Sequence, residues 1–593
     1  MAATAATVSR RALEARSMAE AFRITAEDFP DRVAVRTKDD GISITWGELR
    51  ERVDALAGGL AALGVKRGDT VALMLANRPE FHLADLAVMS LGAVPFSIYL
   101  TSAPEQIAYV VQDAGAKLAI VEEAYLDRLP SLDAVVVLEG ARGEGTVAWE
   151  DVEGSNPSFD VESAWRAVEP EDLLTLIYTS GTTGPPKGVQ LVHRNLLAAV
   201  ESIEQMIQFP DGAKVISWLP SAHIAERAAH HYLPIVYAMT ITCCDNPREV
   251  VSYLPLVKPT WFFAVPRIWE KLKSGLEAML AGQPDEQRAP VQAALDAAIR
   301  KVELEQAGEP VPEELAAAVA KADSAIFAGL RAGLGFDEIE AVNVGAAPTP
   351  REVLVFFHAI GIELAELWGM SETCGSGCCN PPGKVRIGTV GPPAPGVEIT
   401  LADDGEVLMR SAVVMTGYRN LPDKTAEALD PDGWLHTGDI GEFDDHGYLR
   451  IVDRKKELII SAAGKNMSPA NIEATLKGAS PLIGLACAIG DGRPYNTALI
   501  VLDADFAPAW AAKNGLEGAS LEDLAGEEAM RAAIQQGVDA ANAQLARVEG
   551  IKKFTIVPGD WAPGGDELTP TMKLKRKPIA EKYADAIEAM YAG

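Results

Sequence analysis

The stretch Leu173-Leu-Thr-Leu-Ile-Tyr-Thr-Ser-Gly-Thr-Thr-Gly-Pro-Pro-Lys-Gly188 joins an apolar run to a loop rich in glycine and hydroxyl groups. The run from Leu173 to Tyr178 has the pattern of a buried β-strand. Glycine lets a backbone approach a ligand, and hydroxyl and ammonium groups donate to phosphate oxygens. The loop residues that can do so are Thr179, Ser180, Gly181, Thr182, Thr183, Gly184, Lys187 and Gly188. Because the GxxxxGK(S/T) spacing is absent, the stretch predicts a polyphosphate site that is not a Walker A loop.

Strand and helix patterns alternate on both sides of this stretch. Short apolar runs such as Val71–Ala76 and Lys117–Val121 alternate with helical patterns such as Trp46–Leu63, and a second alternating block runs to about Pro266. This alternation predicts parallel sheets covered by helices. From about 269 to 334 Ala, Glu, Lys and Leu dominate, and Pro interrupts at 284, 290, 310 and 312. We expect a helical insertion there.

The last third of the chain changes character twice. From Gly396 to Arg450 short strands with Asp-Gly and His-Gly turns predict a small antiparallel β-unit. After Asp453 strand and helix patterns begin again, which places a boundary near 452/453. The fold class is therefore α/β: a large domain (1–452) of helix-covered, mostly parallel sheets plus the β-unit, then a small α+β domain (453–593).

The charge balance excludes one class of partner. The 593 residues include 53 Lys and Arg against 84 Asp and Glu, a formal net charge of −31, so the summed field repels polyanions. We expect no nucleic-acid partner. Two short stretches, Arg450–Lys465 and Lys573–Lys577, are nevertheless locally basic and suit a small phosphate ligand.

The cysteines and the chain start point to the cytoplasm. The six cysteines form no CxxC pair, which predicts free thiols in a reducing compartment. Met1–Arg16 is Ala-rich but has no signal-peptide core, and no stretch approaches the roughly 18 apolar residues of a membrane span. Peripheral contact with a membrane, to collect lipid, stays open, and the oligomeric state is not predicted.

Several motifs carry a family resemblance that runs from about residue 30 to residue 580. Thr179–Gly188 resembles the phosphate loop of the adenylate-forming superfamily, which comprises acyl-CoA synthetases, nonribosomal peptide adenylation domains and luciferases. Trp368-Gly-Met-Ser-Glu-Thr373 resembles its adenine and magnesium motif. Gly433–Asp439 resembles the ribose motif, Gly447–Glu457 the hinge, and Gly464–Glu473 the segment after it.

Within the superfamily the chain is similar to long-chain fatty-acyl-CoA synthetases. Pro259–Lys271, the insertion after it and Leu568–Arg576 carry that similarity. It implies that a long-chain fatty acid reacts with ATP, aided by Mg²⁺, to acyl-AMP and pyrophosphate, and is then transferred to coenzyme A. The alternatives are a medium-chain or aryl acid–CoA ligase and an acyl-AMP ligase that loads a carrier protein. A non-enzymatic nucleotide-binding scaffold is disfavoured because the charged motif residues are all present.

The resemblance also implies roles for single residues. Glu372 would ligate Mg²⁺ with Thr179, Asp439 would accept the ribose hydroxyls, Arg454 would reach ribose or phosphate, and His223 would lie near the acyl site, where a structural role is an equal alternative. The remaining residues implied to contact the nucleotide are Gly345, Ala346, Trp368, Gly369, Ser371 and Lys465. Many relatives have Gly at position 346 and Tyr at position 368.

The catalytic lysine of the family aligns with Lys573. Relatives commonly carry Ser-Gly before this lysine, whereas Thr571-Met572 stands here, so Lys575 is the fallback candidate. In the family the lysine bridges the carboxylate and the α-phosphate, and rotation about a hinge, here Asp453, replaces it with the face that serves thioester formation.

Overall fold

The computed structural model describes residues 11–140, 143, 145–179, 185–460, 466–569 and 572–592. The strands in chain order are β1 Val33–Thr37, β2 Ser43–Thr45, β3 Thr70–Met74, β4 Val94–Ser97, β5 Leu118–Glu122, β6 Ala134–Leu138, β7 Thr146–Ala148, β8 Leu173–Thr179, β9 Lys187–Val192, β10 Lys214–Ser217, β11 Thr240–Cys243, β12 Trp261–Ala264, β13 Ala341–Val344, β14 Leu364–Trp368, β15 Cys378–Cys379, β16 Val397–Leu401, β17 Glu406–Ser411, β18 Gly417–Tyr418, β19 Leu435–Phe443, β20 Leu449–Arg454, β21 Ile459–Ile460, β22 Asn466–Met467, β23 Ile483–Ile489, β24 Asn496–Leu502 and β25 Ile551–Ile556.

The α-helices lie between these strands and at the ends of the chain. They are α1 Met18–Asp28, α2 Trp46–Ala62, α3 Pro79–Ser90, α4 Pro104–Ala114, α5 Trp149–Val152, α6 Val161–Arg166, α7 His193–Glu204, α8 Ile224–Glu226, α9 Leu233–Tyr237, α10 Val250–Val257, α11 Pro266–Ala281, α12 Asp285–Ala307, α13 Glu313–Ala322, α14 Ala328–Gly333, α15 Arg351–Ala359, α16 Pro422–Ala428, α17 Pro469–Ala479, α18 Phe506–Lys513, α19 Leu521–Gly526, α20 Glu528–Gln544, α21 Arg576–Lys582 and α22 Ala584–Tyr591. Two π-helical turns, Arg227–Tyr232 and Asp323–Phe327, continue α8 and α13.

Parallel pairing dominates the large sheets, as the alternating patterns predict. The sheet β4-β3-β5-β6-β7 is parallel throughout, with Val71 opposite Leu118. In two further sheets, β10-β11-β1-β2 and β12-β13-β14-β15, an antiparallel strand lies at one edge. All five residues of β3 are buried, which fits a strand covered on both faces. The α/β fold class is confirmed.

The stretch that opens the sequence analysis forms a hairpin. Strands β8 and β9 pair antiparallel, with Thr179 opposite Lys187, and β18 pairs with the other edge of β9. Leu174, Leu176 and Ile177 are buried, so the predicted buried strand is present. The loop that the hairpin encloses, 180–184, lies outside the described residues.

The segment 266–333 is helical between β12 and β13, as predicted, but one of its prolines does not act as expected. Pro290 lies inside α12, six residues into the helix, rather than interrupting it. At the sixth position the ring removes an N–H that would otherwise donate to the carbonyl of Glu286, so α12 forms at the cost of one hydrogen bond. The helix carries on to Ala307.

The last third contains the predicted small β-unit and a second core. The sheet β16-β17-β19-β20 is antiparallel, whereas β23-β24-β25 mixes antiparallel and parallel pairs and packs with α17 and α20. One hydrophobic cluster gathers residues from Ala12 to Leu449, and another gathers residues from Ile459 to Ile556. The division at 452/453 falls inside β20, and it stays a prediction.

A network of charged side chains is buried between α3 and the π-helical turn after α8. Arg227 and Asp85 are both 0% exposed, and Arg227 Nη1 lies 2.6 Å from Asp85 Oδ2. His231 Nε2 lies 3.0 Å from Asp85 Oδ1, and its Nδ1 lies 2.9 Å from Nδ1 of His82. His230 Nδ1 lies 2.7 Å from Glu226 Oε2. The adjacent His230 and His231 therefore serve packing within this buried network.

The cysteines and the helices answer two further expectations. All six cysteines are buried and free. Among the described residues, no helix combines the length and the apolar character that a membrane crossing requires.

Candidate active site

The candidate ribose residue Asp439 lies on β19 and contacts two other predicted site residues. Asp439 faces Arg454 across the β19–β20 pair, and Arg454 Nε lies 2.7 Å from its Oδ1. Trp368 Nε1, at the end of β14, donates to its Oδ2 at 2.8 Å. Burial raises the pKa of Asp439, and Arg454 and the Trp368 hydrogen bond oppose that rise. Since each carboxylate oxygen has two lone pairs, Asp439 keeps capacity to accept from a ligand.

The candidate metal residue Glu372 lies in a short 3₁₀ turn, Ser371–Thr373, just after β14. It is 6% exposed, and its Oε1 accepts a hydrogen bond from Tyr418 Oη at 2.7 Å. Lys187 Nζ lies 4.0 Å from the centre of the Tyr418 ring. Burial lowers the pKa of Lys187, and the nearby Glu372 carboxylate opposes that fall. The turn after β14 thus meets the hairpin that carries the phosphate loop.

Lys573 comes from the C-terminal part of the chain and lies near Arg454, Asp439 and Glu372, and we call the space among these side chains the cleft. Its backbone N donates to Thr569 Oγ1 at 3.0 Å, and Thr569 N donates to its carbonyl at 2.8 Å. Desolvation by the protein around the ammonium, and then the positive charge of Arg454, lower the pKa of Lys573, although the residue is exposed to solvent. Asp439 and Glu372 oppose that fall. The Lys573 ammonium therefore lies close to one cation and to both carboxylates of the cleft.

The fallback candidate Lys575 is engaged elsewhere. Its Nζ donates to the carbonyl oxygen of Gly565 at 2.8 Å, and its backbone N donates to the carbonyl of Glu567. These contacts hold the Lys575 side chain within the C-terminal part of the chain. The geometry favours Lys573 as the lysine of the cleft.

His223 lies beside Lys573. It precedes α8, and its Nδ1 accepts a hydrogen bond from Ala225 N at 3.1 Å, so it caps that short helix. Burial, and then the Lys573 ammonium, lower the pKa of His223 to about 4. The imidazole is therefore neutral near pH 7. A capping role and a position in the cleft coexist in this side chain.

Three small residues bring backbone close to the cleft. A Cβ at Gly345 would lie 2.9 Å from Leu367 Cδ1, and one at Gly369 would collide with the carbonyl of Gly375. Ala346 adopts φ 68°, the left-handed region that an alanine adopts only at a cost. The glycine that many relatives have at this position fits that angle without strain.

The other predicted residues divide into described and undescribed ones. Thr179 ends β8, and its Oγ1 donates to the carbonyl of Lys187 at 3.4 Å. Ser371 is half-buried in its turn. The predicted nucleotide residues that lie outside the described residues are Ser180, Gly181, Thr182, Thr183, Gly184 and Lys465.

The donor set at Glu372 fits magnesium bound together with a nucleotide. In the described part of the chain no group of three or more His, Cys, Asp or Glu side chains could hold a metal ion by itself. Magnesium keeps waters and typically takes one or two carboxylates plus substrate phosphates, so a single carboxylate beside a phosphate loop suits it. The hydrogen bond from Tyr418 involves Oε1, which leaves Oε2 of Glu372 as the oxygen to assign to the cation.

Tyr418 was not among the residues predicted from the sequence. It lies in the two-residue strand β18, in Gly417-Tyr-Arg419, far along the chain from both of its partners. The only local signal was an aromatic residue after a glycine in a β-rich segment, which does not identify a site.

Two family models match consecutive parts of the chain. The model of the AMP-binding enzyme family matches residues 22–419, and that of the AMP-binding enzyme C-terminal domain matches residues 456–593. The putative fatty-acid–CoA ligase fadD11 of Mycobacterium tuberculosis (strain ATCC 25618 / H37Rv) is 50% identical over 454 residues, which cover 76% of this chain and 79% of that protein.

Two further comparisons extend over almost the whole chain. The long-chain-fatty-acid–CoA ligase FadD15 of the same strain is 36% identical over 583 residues, 95% of each chain. The crystal structure of the anthranilate CoA ligase AuaEII in complex with anthranoyl-AMP matches with a TM-score of 0.72 at 19% identity, covering 96% of this chain and 98% of that chain, which supports the fold alone. Because a family match spans most of the chain and FadD15 aligns along nearly its full length, the chain belongs to the AMP-binding enzyme family.

Proposed function

We propose that this chain is an ATP-dependent long-chain fatty acid–CoA ligase, which forms acyl-AMP and pyrophosphate and then transfers the acyl group to coenzyme A. The observation that carries the proposal is the meeting of five charged side chains from distant parts of the chain in one cleft. They are Lys187, Glu372, Asp439, Arg454 and Lys573: Arg454 pairs with Asp439, Tyr418 contacts both Glu372 and Lys187, and Lys573 lies near Asp439 and Glu372. FadD15 and fadD11, whose names specify fatty acids, supply the substrate class.

The chemistry explains why such a cleft is needed. A carboxylate and the α-phosphate of ATP repel each other, so the site must supply positive charge and hold the two groups in line. Lys573 can supply that charge from one side of the cleft, and Lys187 from the phosphate loop on the other. Magnesium, when bound, neutralises phosphate charge and orients the pyrophosphate leaving group. Glu372, with Thr179 beside it, would hold the ion.

The nucleotide end of the cleft follows from Asp439. Its carboxylate, oriented by Trp368 and Arg454, would accept the ribose hydroxyls, and the backbone of Gly345 and Ala346 would pass along the adenine. His223 is neutral, so it carries no positive charge that would repel Lys573, the proposed partner of the incoming carboxylate. We assign it to the wall of the acyl site rather than to proton transfer.

Thioester formation requires Lys573 to leave the cleft, and Asp453 is our proposed hinge. Asp453 Oδ2 accepts from Ser468 Oγ at 2.6 Å and from Ala470 N at 3.1 Å, at the start of α17. Its backbone pairs with Ile440 in the last sheet of the large domain. One residue thus belongs to a strand on one side and anchors a helix on the other, as a rotation point should.

The preference for long chains was predicted partly from the aromatic segment Trp261–Phe263. Phe262 packs in the core against Trp218 and Trp269, whereas Phe263 lies beside Gly345, where the acyl carbonyl would pass. One residue of that segment therefore borders the proposed acyl path. Each further CH₂ buried there would add about 0.8 kcal/mol to binding.

The test measures pyrophosphate release and thioester formation with acids from acetate to oleate, with and without coenzyme A. We expect acids of about twelve or more carbons to give the highest kcat/KM, since binding grows with each buried CH₂. Equal or better use of acetate or benzoate would contradict the long-chain assignment. Normal pyrophosphate release without any thioester would point instead to a carrier protein as acceptor. Cytoplasmic location and membrane contact stay predictions.

A further inference from the structure

Tyr418 contacts both sides of the phosphate end of the cleft. Its hydroxyl donates to Glu372 Oε1 at 2.7 Å, and its ring lies 4.0 Å from Lys187 Nζ. Tyr418 and Glu372 are both 6% exposed, so their hydrogen bond is shielded from water, and Lys187 is half-buried. A cation over an aromatic face is attracted more strongly when it is desolvated, and a hydrogen bond to a carboxylate is stronger than a neutral one.

The backbone of Tyr418 is held independently of its side chain. Tyr418 pairs with Val189 on β9, and its N donates to Thr425 Oγ1 at 2.9 Å. The next residue, Arg419, donates its N to the carbonyl of Gly188 at 2.7 Å. Changing the ring or the hydroxyl therefore need not move the strand. The ring also packs in the large hydrophobic core.

The two groups that Tyr418 contacts have opposite charges and do not pair directly with each other. A direct ion pair would neutralise the groups meant for phosphate and cation. With the tyrosine between them, the ammonium lies over the ring and the carboxylate accepts a hydrogen bond from the hydroxyl.

We propose that Tyr418 is a positioning residue that spaces Lys187 from Glu372, so that the β- and γ-phosphates of ATP and their Mg²⁺ bind as one unit. This inference rests on the proposed function for the identity of the ligand. It assigns the hydroxyl to the cation side and the ring to the phosphate side. The two halves can be removed one at a time.

The experiment uses Tyr418→Phe, which removes the hydroxyl, and Tyr418→Leu, which removes hydroxyl and ring. Tyr448→Phe is the matched control. Tyr448 directly precedes β20, at the end of the strand away from Arg454, and its hydroxyl donates to the carbonyl of Lys384 rather than to a site residue. Calorimetric titration of the full-length protein with ATP at several Mg²⁺ concentrations, and with AMP, gives the affinities without any turnover. AMP lacks the two phosphates in question.

The Phe variant should need roughly tenfold more Mg²⁺ for the same ATP affinity, the scale of a lost hydrogen bond to a charged group. The Leu variant should lose roughly another tenfold in ATP affinity even at saturating Mg²⁺, because the desolvated cation–ring contact is gone. AMP affinity should equal wild type in both variants, and Tyr448→Phe should change nothing. In a Glu372→Gln background, Tyr418→Phe should no longer alter the Mg²⁺ requirement.

Two results would overturn the inference. Unchanged ATP affinity and Mg²⁺ requirement in both variants would show that the contacts position nothing. An equal loss of AMP and ATP affinity would reduce Tyr418 to a structural residue. Either result would leave the proposed ligase function standing. If the variants showed the expected ATP and Mg²⁺ affinities but the wild-type protein activated no fatty acid, only the proposed function would be refuted.

Discussion

Two groups of charged side chains in this molecule face opposite environments. In the buried network, Asp85 and Arg227 are 0% exposed, and both oxygens of Asp85 have a cationic or imidazole partner. In the cleft the cations Arg454 and Lys573 are exposed, with 45% of the Arg454 side chain accessible, whereas the carboxylates Asp439 and Glu372 are buried. The buried charges are matched within the chain. The cleft contains more cationic than anionic groups among the five assigned residues, which suits a polyphosphate.

The difference teaches how to separate structural from functional charge here. A buried ion pair costs much desolvation and is weak evidence for stability, but removing one partner strands the other charge. The exposed cations of the cleft keep their water until a ligand replaces it, and its two buried carboxylates have Arg454 and Tyr418 as partners. Substitutions in the network should therefore change folding, and substitutions in the cleft should change activity.

The largest effect is expected for Asp85→Asn, which leaves the buried Arg227 without its anion. Breaking a buried pair costs about 3–5 kcal/mol, so the urea midpoint of the large domain should fall strongly. The kcat/KM of the protein that remains folded should stay near wild type. Glu398→Gln is the control, since the pair Glu398–Arg410 has a similar distance, 2.7 Å, but is exposed.

The control should change stability by no more than about 1 kcal/mol, as exposed pairs do. If Asp85→Asn were as mild as Glu398→Gln, the buried Asp85–Arg227 pair would not be needed for the stability of the fold. If it instead abolished activity without affecting unfolding, the division between network and cleft would fail.

Next in size is Lys573→Ala, which acts on the cleft alone. Adenylation should fall about 10²-fold or more, the scale of losing a preorganised group that stabilises developing charge. Thioester formation from supplied acyl-adenylate should fall much less, because in the proposed rotation about Asp453 the lysine would have left the cleft by then. The urea midpoint should stay unchanged, in contrast to Asp85→Asn.

Lys575→Ala is the control for that variant, since its ammonium contacts the Gly565 carbonyl. It should adenylate normally. Loss of adenylation in Lys575→Ala, with activity kept in Lys573→Ala, would show that the motif is aligned two residues too early. Normal adenylation in both variants would remove the lysine mechanism altogether.

A pH profile sharpens the contrast between the two regions. The protein environment lowers the pKa of Lys573, and the ammonium is the form that acts, so charge and rate are lost as pH rises through the lowered pKa. The kcat/KM for ATP, which reports on the free enzyme, should fall about tenfold per pH unit beyond that point. In Lys573→Arg the fall should move to higher pH, because guanidinium stays charged. An identical profile in both proteins would assign the titration to another group.

The fold was largely predictable because its signals are local. The run Leu173–Tyr178 and the alternation before and after it identify strands and helices from neighbouring residues alone. Pro290 was misjudged because its effect depends on its position within a helix whose start the sequence did not reveal. The boundary near 452/453 falls inside β20 and stays a prediction.

The candidate site was only partly predictable, because its contacts join distant segments. The motifs identified Glu372, Asp439 and Lys573, and their roles stay predictions. Nothing in the sequence indicated that Trp368 would donate to Asp439, that His223 would lie beside Lys573, or that Tyr418 would contact Glu372. Such contacts depend on the packing of sheets and on strand register, which periodicity does not specify.

The smallest effect concerns the backbone of the cleft rather than its charges. Ala346 has φ 68°, where an L-residue is strained and glycine is not, whereas its neighbour Ala347 is not in the left-handed region. Ala346→Gly should therefore raise the free energy of unfolding by up to about 1 kcal/mol, because relief of strain outweighs the added freedom of the unfolded chain. Ala347→Gly should lower it by about 0.5–1 kcal/mol, because only the entropic cost remains. Urea unfolding of both variants, followed by tryptophan fluorescence, measures the difference in sign. If both variants were destabilised equally, the left-handed angle would carry no strain, and the alanine at this position would need no explanation from the cleft. If Ala346→Gly were stabler but bound AMP more weakly, the strain would instead contribute to holding the adenine contact in place.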